Sequence, residues 1–103
     1  SFEPFATDNY FEQYVYEKPT VFVVQGKEVV VTSRRLADAL ANLSEQRRTV
    51  LLMNFFLGYS ERKIGNEYGR SRSTVNYWKL AALKQLRKEW ERLEHEERKA
   101  NTF

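Results

Sequence analysis

The sequence predicts a mainly α domain of four helices, the last two forming a helix-turn-helix, with a short β-hairpin in front. Three observations predict it. Serines at 33, 44, 60 and 71 each stand ahead of a stretch with helical apolar spacing, and a serine hydroxyl can accept from the amides that a helix's first turn leaves free. Gly58 and Gly69 stand where two of those stretches stop, and glycine enters the left-handed turn that ends a helix without a side-chain clash. Finally, TVFVVQGKEVVVT sets two β-branched runs on either side of Gln25 and Gly26, which is a hairpin pattern.

In chain order, Pro19 limits the first strand at its start, and Val21, Val23, Val29 and Val31 supply the expected inward face. Gln-Gly is a weaker turn signal than Asn-Gly, so a looser loop through Lys27 stays open beside a tight one. Two readings of the ribbon stand side by side: it packs on the helices as core, or it offers a docking edge, because two strands alone are marginal. Upstream, Asp8 can cap a short helix through Tyr14, or Tyr14 to Tyr16 can form a third strand. Ser33 or Thr32 caps a helix carrying Leu36, Leu40 and Leu43. Ser44 caps another with Val50, Leu51, Asn54 and Leu57, closed by Gly58. Phe55 and Phe56 read as core, while Asn54 either sits at the helix edge or bonds to the neighbouring turn.

The helix opened by Ser60 places Ile64 and Tyr68 on one face and ends at Gly69. Ser71 then opens the next, where Val75, Trp78, Ala82 and Leu86 recur at three- and four-residue spacing and so face a core. Farther on, Leu83, Leu86, Trp90 and Leu93 form a seam that needs a partner. That partner is either the hairpin or aromatic N-terminus of the same chain, or a second subunit. From Glu94 to Lys99 charges dominate, so the end is expected to fray. The organisation expected is therefore an aromatic segment with hairpin at 1–31, a helix-turn-helix domain at 32–93 and a charged tail at 94–103.

Charge placement points to a partner. Residues 1–31 hold 2 Lys or Arg against 5 Asp or Glu, residues 32–88 hold 12 against 4, and residues 89–103 hold 3 against 5. The whole-chain net charge of +3 thus hides a basic centre of +8 between acidic ends of −3 and −2. A basic block that coincides with a helix-turn-helix suits phosphate neutralisation, with affinity that falls as salt rises. The second helix of such a motif presents its first turns to base edges, and here those turns carry Arg72, Ser73, Asn76 and Tyr77. Arginine can fork onto guanine and asparagine onto adenine. The expected DNA-binding set adds Arg62, Lys63, Arg70, Lys79 and Lys84 from the basic block, with Ser71 and Thr74 at the helix entry. Arg47 and Arg48 either touch phosphate as well or are simply solvated. Against all this stands the plain alternative of a helical hairpin with a solvated polar face.

Composition bounds the remaining classes. The 103 residues, 42% hydrophobic and 15% aromatic, fit one small domain. With no cysteine, disulfide frameworks, thiolate metal sites and cysteine nucleophiles are excluded, and a reducing cytoplasm is the expected location. No apolar run approaches the roughly 20 residues that span a bilayer. Ser1 stands where an initiator methionine is expected, which points to a trimmed start. The lone histidine, His95, lacks a second histidine four residues on, and no phosphate-cradling glycine loop or nucleophile elbow is visible. A non-enzyme without metal or cofactor is expected.

The stretch LADALANLSEQRRTVLLMNFFLGYSERKIGNEYGRSRSTVNYWKLAALKQLR, Leu36 to Arg87, resembles the fourth conserved region of sigma-70 class sigma factors. The likeness includes Arg48, Val50 and Leu51, the Gly58-Tyr59-Ser60 turn, the Ile64-Gly65 pair, Ser71 to Val75, and Ala82-Leu83 with Leu86-Arg87. It implies a sigma region-4-like domain that recognises double-stranded promoter or operator DNA and docks on the β flap of RNA polymerase. By the same resemblance Arg72, Ser73, Asn76 and Tyr77 occupy the base-facing positions. Many relatives have an acidic pair where this chain has Arg62-Lys63, and Arg-Gln where it has Asn76-Tyr77, so its preferred sequence should differ. The 103 residues leave no space for the separate helical domain with which a full sigma factor opens promoter DNA. The whole chain, including YEKPTVFVVQGKEVVVTSRRLADALANL, looks like the small sigma-like regulators of Gram-positive conjugative transposons, which implies a regulator of mobile-element genes. A protein-interaction module that binds polymerase or an anti-sigma partner, with little DNA contact, is the competing expectation. The sequence fits a monomer or a homodimer.

Overall fold

The computed structural model describes residues 18–101. The hairpin pairs β1 (Thr20–Val24) with β2 (Lys27–Val31), and four helices come after it: α1 (Arg34–Ala41), α2 (Glu45–Leu51, running into a wider π turn at Leu52–Phe56), α3 (Glu61–Tyr68) and α4 (Arg72–Ala100). The mainly α architecture expected from the sequence is the one observed. Each helix begins on a serine: Ser33, Ser44, Ser60 and Ser71 accept hydrogen bonds from the amides of Leu36, Arg47, Lys63 and Thr74. Ser33, rather than Thr32, is the first cap.

The hairpin closes through a tight two-residue loop, with Gln25 at φ 52° and Gly26 at φ 78°. Two consecutive positive φ values match the turn whose twist suits antiparallel strands, so the looser loop through Lys27 is not adopted. This turn sets Val24 opposite Lys27 and Phe22 opposite Val29. With a side-chain period of two, the register decides which valines go inside. Val24, Val29 and Val31 are buried with half-buried Phe22 beside them, whereas Val21 and Val23, expected inside, point outward with Val30. Lys27 shares the inward face and donates from Nζ to the Tyr59 hydroxyl at 2.8 Å, and Gln25 reaches Glu67 at 3.0 Å. Asp8 and the stretch from Tyr14 to Tyr16 lie outside the described residues.

The core lies where α2 and α3 cross α4, around Leu51, Leu52, Met53, Ile64 and Val75, all 2% exposed or less. Burying each such side chain contributes about 1.5–3 kcal/mol relative to leaving it in water. The end of α2 departs from the sequence reading. Leu57 donates to the Leu52 carbonyl, five residues back, and Tyr59 to that of Met53, while Gly58 takes φ 75°. A π turn holds one extra residue and so rotates the side chains at and beyond it. Phe55 and Phe56, expected in the core, consequently emerge 57% and 42% exposed. Asn54 resolves its two alternatives by donating to the Tyr59 carbonyl at 2.8 Å, which fastens the turn.

Helix α4 is one continuous 29-residue rod. Among the described residues the partner of its seam is α1. Leu83 and Leu86 join the core beside Leu36, and the Arg35 guanidinium lies 4.9 Å over the Trp90 ring. Arg35 also pairs with Glu94 and Glu97, Asn42 donates to Glu89, and Arg92 bridges Glu89 and Glu96. The stretch from Glu94 to Lys99, expected to fray, is therefore helical to Ala100, with Arg98 and Lys99 complementing the dipole in its last turn. Arg48 is not merely solvated: it donates to the carbonyls of Leu43 and Ala41, where α1 ends, and Arg47 bonds Gln85 at 2.6 Å.

Candidate nucleic-acid interface

Helix α3 ends at Gly69, which adopts the left-handed conformation at φ 65°, and the next amide, Arg70, donates back to the Gly65 carbonyl at 2.8 Å. The turn lies so tightly on α3 that a Cβ at Gly65 would stand 2.5 Å from the Arg70 carbonyl oxygen. Ile64 and Val75, neither exposed, belong to the one buried cluster that joins the two helices. Tyr68, expected inward, is instead 41% exposed at the helix end, where its ring meets Trp78 edge-on at 6.0 Å.

These constraints turn the start of α4 outward. Arg72, Ser73 and Tyr77 are exposed, Tyr77 by 71%, and Arg62, Lys63, Arg70 and Lys84 are exposed as well. Ser71 and Thr74 have another task. The Ser71 hydroxyl accepts from the Thr74 amide at 3.2 Å and donates to the Thr74 hydroxyl at 3.0 Å, so this pair builds the helix start. Lys63 rests 4.7 Å over the Tyr59 ring. Lys84 sits about 12 Å along α4 from Asn76, in a shallow depression with Arg47 and Lys88.

Asn76 and Lys79 are half-buried and tied to a residue that the sequence reading passed over, Glu61. Asn76 donates to Glu61 Oε2 at 2.8 Å, Lys79 Nζ stands 2.9 Å from the same oxygen, and Arg72 Nε is 3.6 Å from Oε1. The hydrogen bond from Asn76, and next that from Lys79, hold the Glu61 carboxyl below its ordinary range. A signal did exist. Arg72, Asn76 and Lys79 are spaced by four and three, hence one stripe of α4, and two cations on such a stripe call for an acid.

The face can therefore present fixed positive charge, the exposed Arg72 guanidinium, a phenol and one ordered amide to a polyanion. The positive end of the α4 dipole adds to the attraction for an anion. On another side of α4 lies a wholly apolar groove lined by Leu36, Leu40, Leu51, Phe55, Phe56, Leu83 and Leu86.

A family model described as sigma-70, region 4 matches residues 33–86, more than half of the chain. The chain belongs to the sigma-70 region 4 family. The match opens at the Ser33 cap of α1 and stops at Leu86, so the hairpin and the distal part of α4 lie outside the shared region. Domains of this family bind DNA and RNA polymerase in transcription. Comparison with curated proteins finds no match. Among the described residues no helix is long and apolar enough to cross a membrane.

Proposed function

We propose that the protein is a sequence-specific DNA-binding transcription regulator that reads a promoter or operator with the first turns of α4 and contacts RNA polymerase through the apolar groove. One observation carries the reading. Arg72, Ser73 and Tyr77 stand uncovered on a basic face, and the hairpin's hydrogen bonds to the helical part go to Tyr59 and Glu67, away from them. Arg62, Lys63, Arg70 and Lys84 flank the face as phosphate contacts, which position the duplex without reading it. The exposed rings of Phe55 and Phe56, with half-buried Leu36, Leu83 and Leu86 beside them, offer the β flap an apolar surface. The protein acts by binding, in the cytoplasm, as a monomer or homodimer, with no catalytic step. From the resemblance of the sequence to the small sigma-like regulators of conjugative transposons we further infer a role in controlling the genes of such an element.

A second reading, an interaction module with little DNA contact, draws on Glu61, which neutralises part of the basic face, and on the exposure of Phe55 and Phe56. Mobility-shift titration on the element's promoter DNA separates the two. Under the DNA-reading account, affinity falls with salt at a log–log slope of about 0.9 per phosphate contacted. Arg72→Ala costs about 1–3 kcal/mol and relaxes preference at one base pair. Equal binding of mutant and parent to every sequence would overturn the assigned face. In a pull-down, core polymerase is recovered through residues 33–58; recovery of DNA alone would leave a stand-alone repressor or activator.

A further inference from the structure

We propose that Glu61 is a positioning residue that sets base preference, by orienting the Asn76 amide toward the duplex and withholding the Lys79 ammonium from phosphate. The inference rests on the DNA-reading function above and adds a residue that touches no base itself.

The geometry is that of a clamp across the two helices of the motif. Glu61 is the first residue of α3, and its side chain, 15% exposed, reaches the Arg72, Asn76 and Lys79 stripe of α4. A carboxylate has about four acceptor sites, and three partners occupy most of them. Asn76 commits one Nδ2 hydrogen to Glu61. There remain one acceptor, Oδ1, and one donor, the second N–H, the pair that complements the N6 and N7 edge of adenine. An untethered asparagine amide turns easily, because its terminal torsion is broad and roughly two-fold. It then offers donor and acceptor in either order, and the two orders favour different bases.

Charge makes the second half of the case. A carboxylate on a face meant for phosphate weakens binding to every duplex alike, because that attraction is electrostatic and independent of sequence. Glu61 sits there beside Lys79, which is also held 5.7 Å over the Phe55 ring, and beside Arg72. It therefore lowers general affinity while it sharpens the read. If Glu61 served only to favour the N-terminus of α3, its removal would change stability and leave base preference alone.

The test uses the full chain and a library of duplexes with a random six-base-pair window between fixed flanks, selected by the parent, Glu61→Ala, Glu61→Gln and Asn76→Ala. Melting of each variant is measured in parallel. Binding to one scrambled duplex is measured at low and at physiological salt. The expected result has three parts. Glu61→Ala loses about ten-fold of the discrimination at one position, the same position that Asn76→Ala loses. It gains affinity for the scrambled duplex, with a salt slope steeper by about one as Lys79 is released. Glu61→Gln keeps an acceptor for Asn76, so it retains the preference while showing the gain in general affinity. A parent-like profile for Glu61→Ala at every position would overturn the inference, as would a loss at a position that Asn76→Ala leaves intact. A parent that enriches no sequence at all would overturn the DNA-reading function itself, and this inference with it.

Discussion

The polar face at the start of α4 and the apolar groove that its later turns help to line share one helix and oppose each other in chemistry. The first turns carry Arg72, Ser73, Asn76 and Tyr77, with charges ordered by Glu61. Two turns on, Leu83 and Leu86 form a groove with Phe55, Phe56 and Leu36 that has no polar lining. The charged face suits a polyanion, a kind of contact that salt weakens. The groove suits an apolar partner, a contact on which salt has little such hold. On the proposed reading one helix offers DNA a face at one end of its matched region and a protein a groove farther along, the two meeting where Lys79 lies over the Phe55 ring.

The largest expected effect breaks one face and spares the other. In Gly65→Ala the new methyl meets the Arg70 carbonyl at 2.5 Å, and overpacking of this kind costs about 1–3 kcal/mol. That outweighs the gain of about 1 kcal/mol in helix propensity. Calorimetry should show a lower Tm, and the turn must shift, so DNA affinity falls while polymerase recovery below the melt persists. An unchanged DNA affinity would show that the turn does not set the reading face.

An effect of similar kind but opposite sign on the comparison comes from Phe55→Ala combined with Phe56→Ala. The rings are 57% and 42% exposed, so Tm should fall less than for a core phenylalanine, whereas loss of an aromatic anchor from an interface costs about 2 kcal/mol or more in affinity. Pull-down should lose polymerase at both low and high salt, while sequence-selective DNA binding persists, because Glu61 still holds the Lys79 that lies over Phe55. Retention of polymerase would place its contact elsewhere.

The smallest effect concerns pH. Glu61 is held below the ordinary carboxylate range in the fold, chiefly by its hydrogen bond from Asn76. A depressed folded pKa contributes stability that is complete above the unfolded carboxylate value of about 4.3 and is lost as pH falls through the lower folded value. Glu97, lowered by its hydrogen bond from Arg35, acts in the same sense. In melting experiments the parent's advantage over Glu61→Gln should be constant near neutrality and shrink below about pH 4. An advantage that grows on acidification would contradict the assigned partners.

How much of the molecule was legible in the sequence depends on the range of the forces involved. The serine caps, Gly58, Gly69 and the stripe through Val75 and Ala82 depend on residues within a turn or two of each other, and local pattern exposed them. The inward face of the hairpin differs from the one the sequence predicts because it is fixed by loop register. Four of the five β1 residues are apolar or aromatic, and nothing in their order separates Val23 from Val24 until Gln25 and Gly26 close the turn. Phe55 and Phe56 depart from the α-helical period because a π turn intervenes, which no residue type announces. The end of α4 stayed helical through a contact about 60 residues away in sequence, Arg35 with Glu97 and Trp90. Glu61 belongs to the same class: its importance lies in partners eleven to eighteen residues on, across a turn.

The measurement that bears most directly on the central claim is an amide chemical-shift map of the full chain, titrated with a duplex that it has itself selected from a random library. Shifts concentrated at residues 61–63 and 70–77, weakening as salt is added, with the surroundings of Phe55, Phe56 and Leu86 unmoved, are the result the account predicts. Shifts centred on Val21, Val23 and Val30, or on the apolar groove, with the first turns of α4 silent, would contradict it.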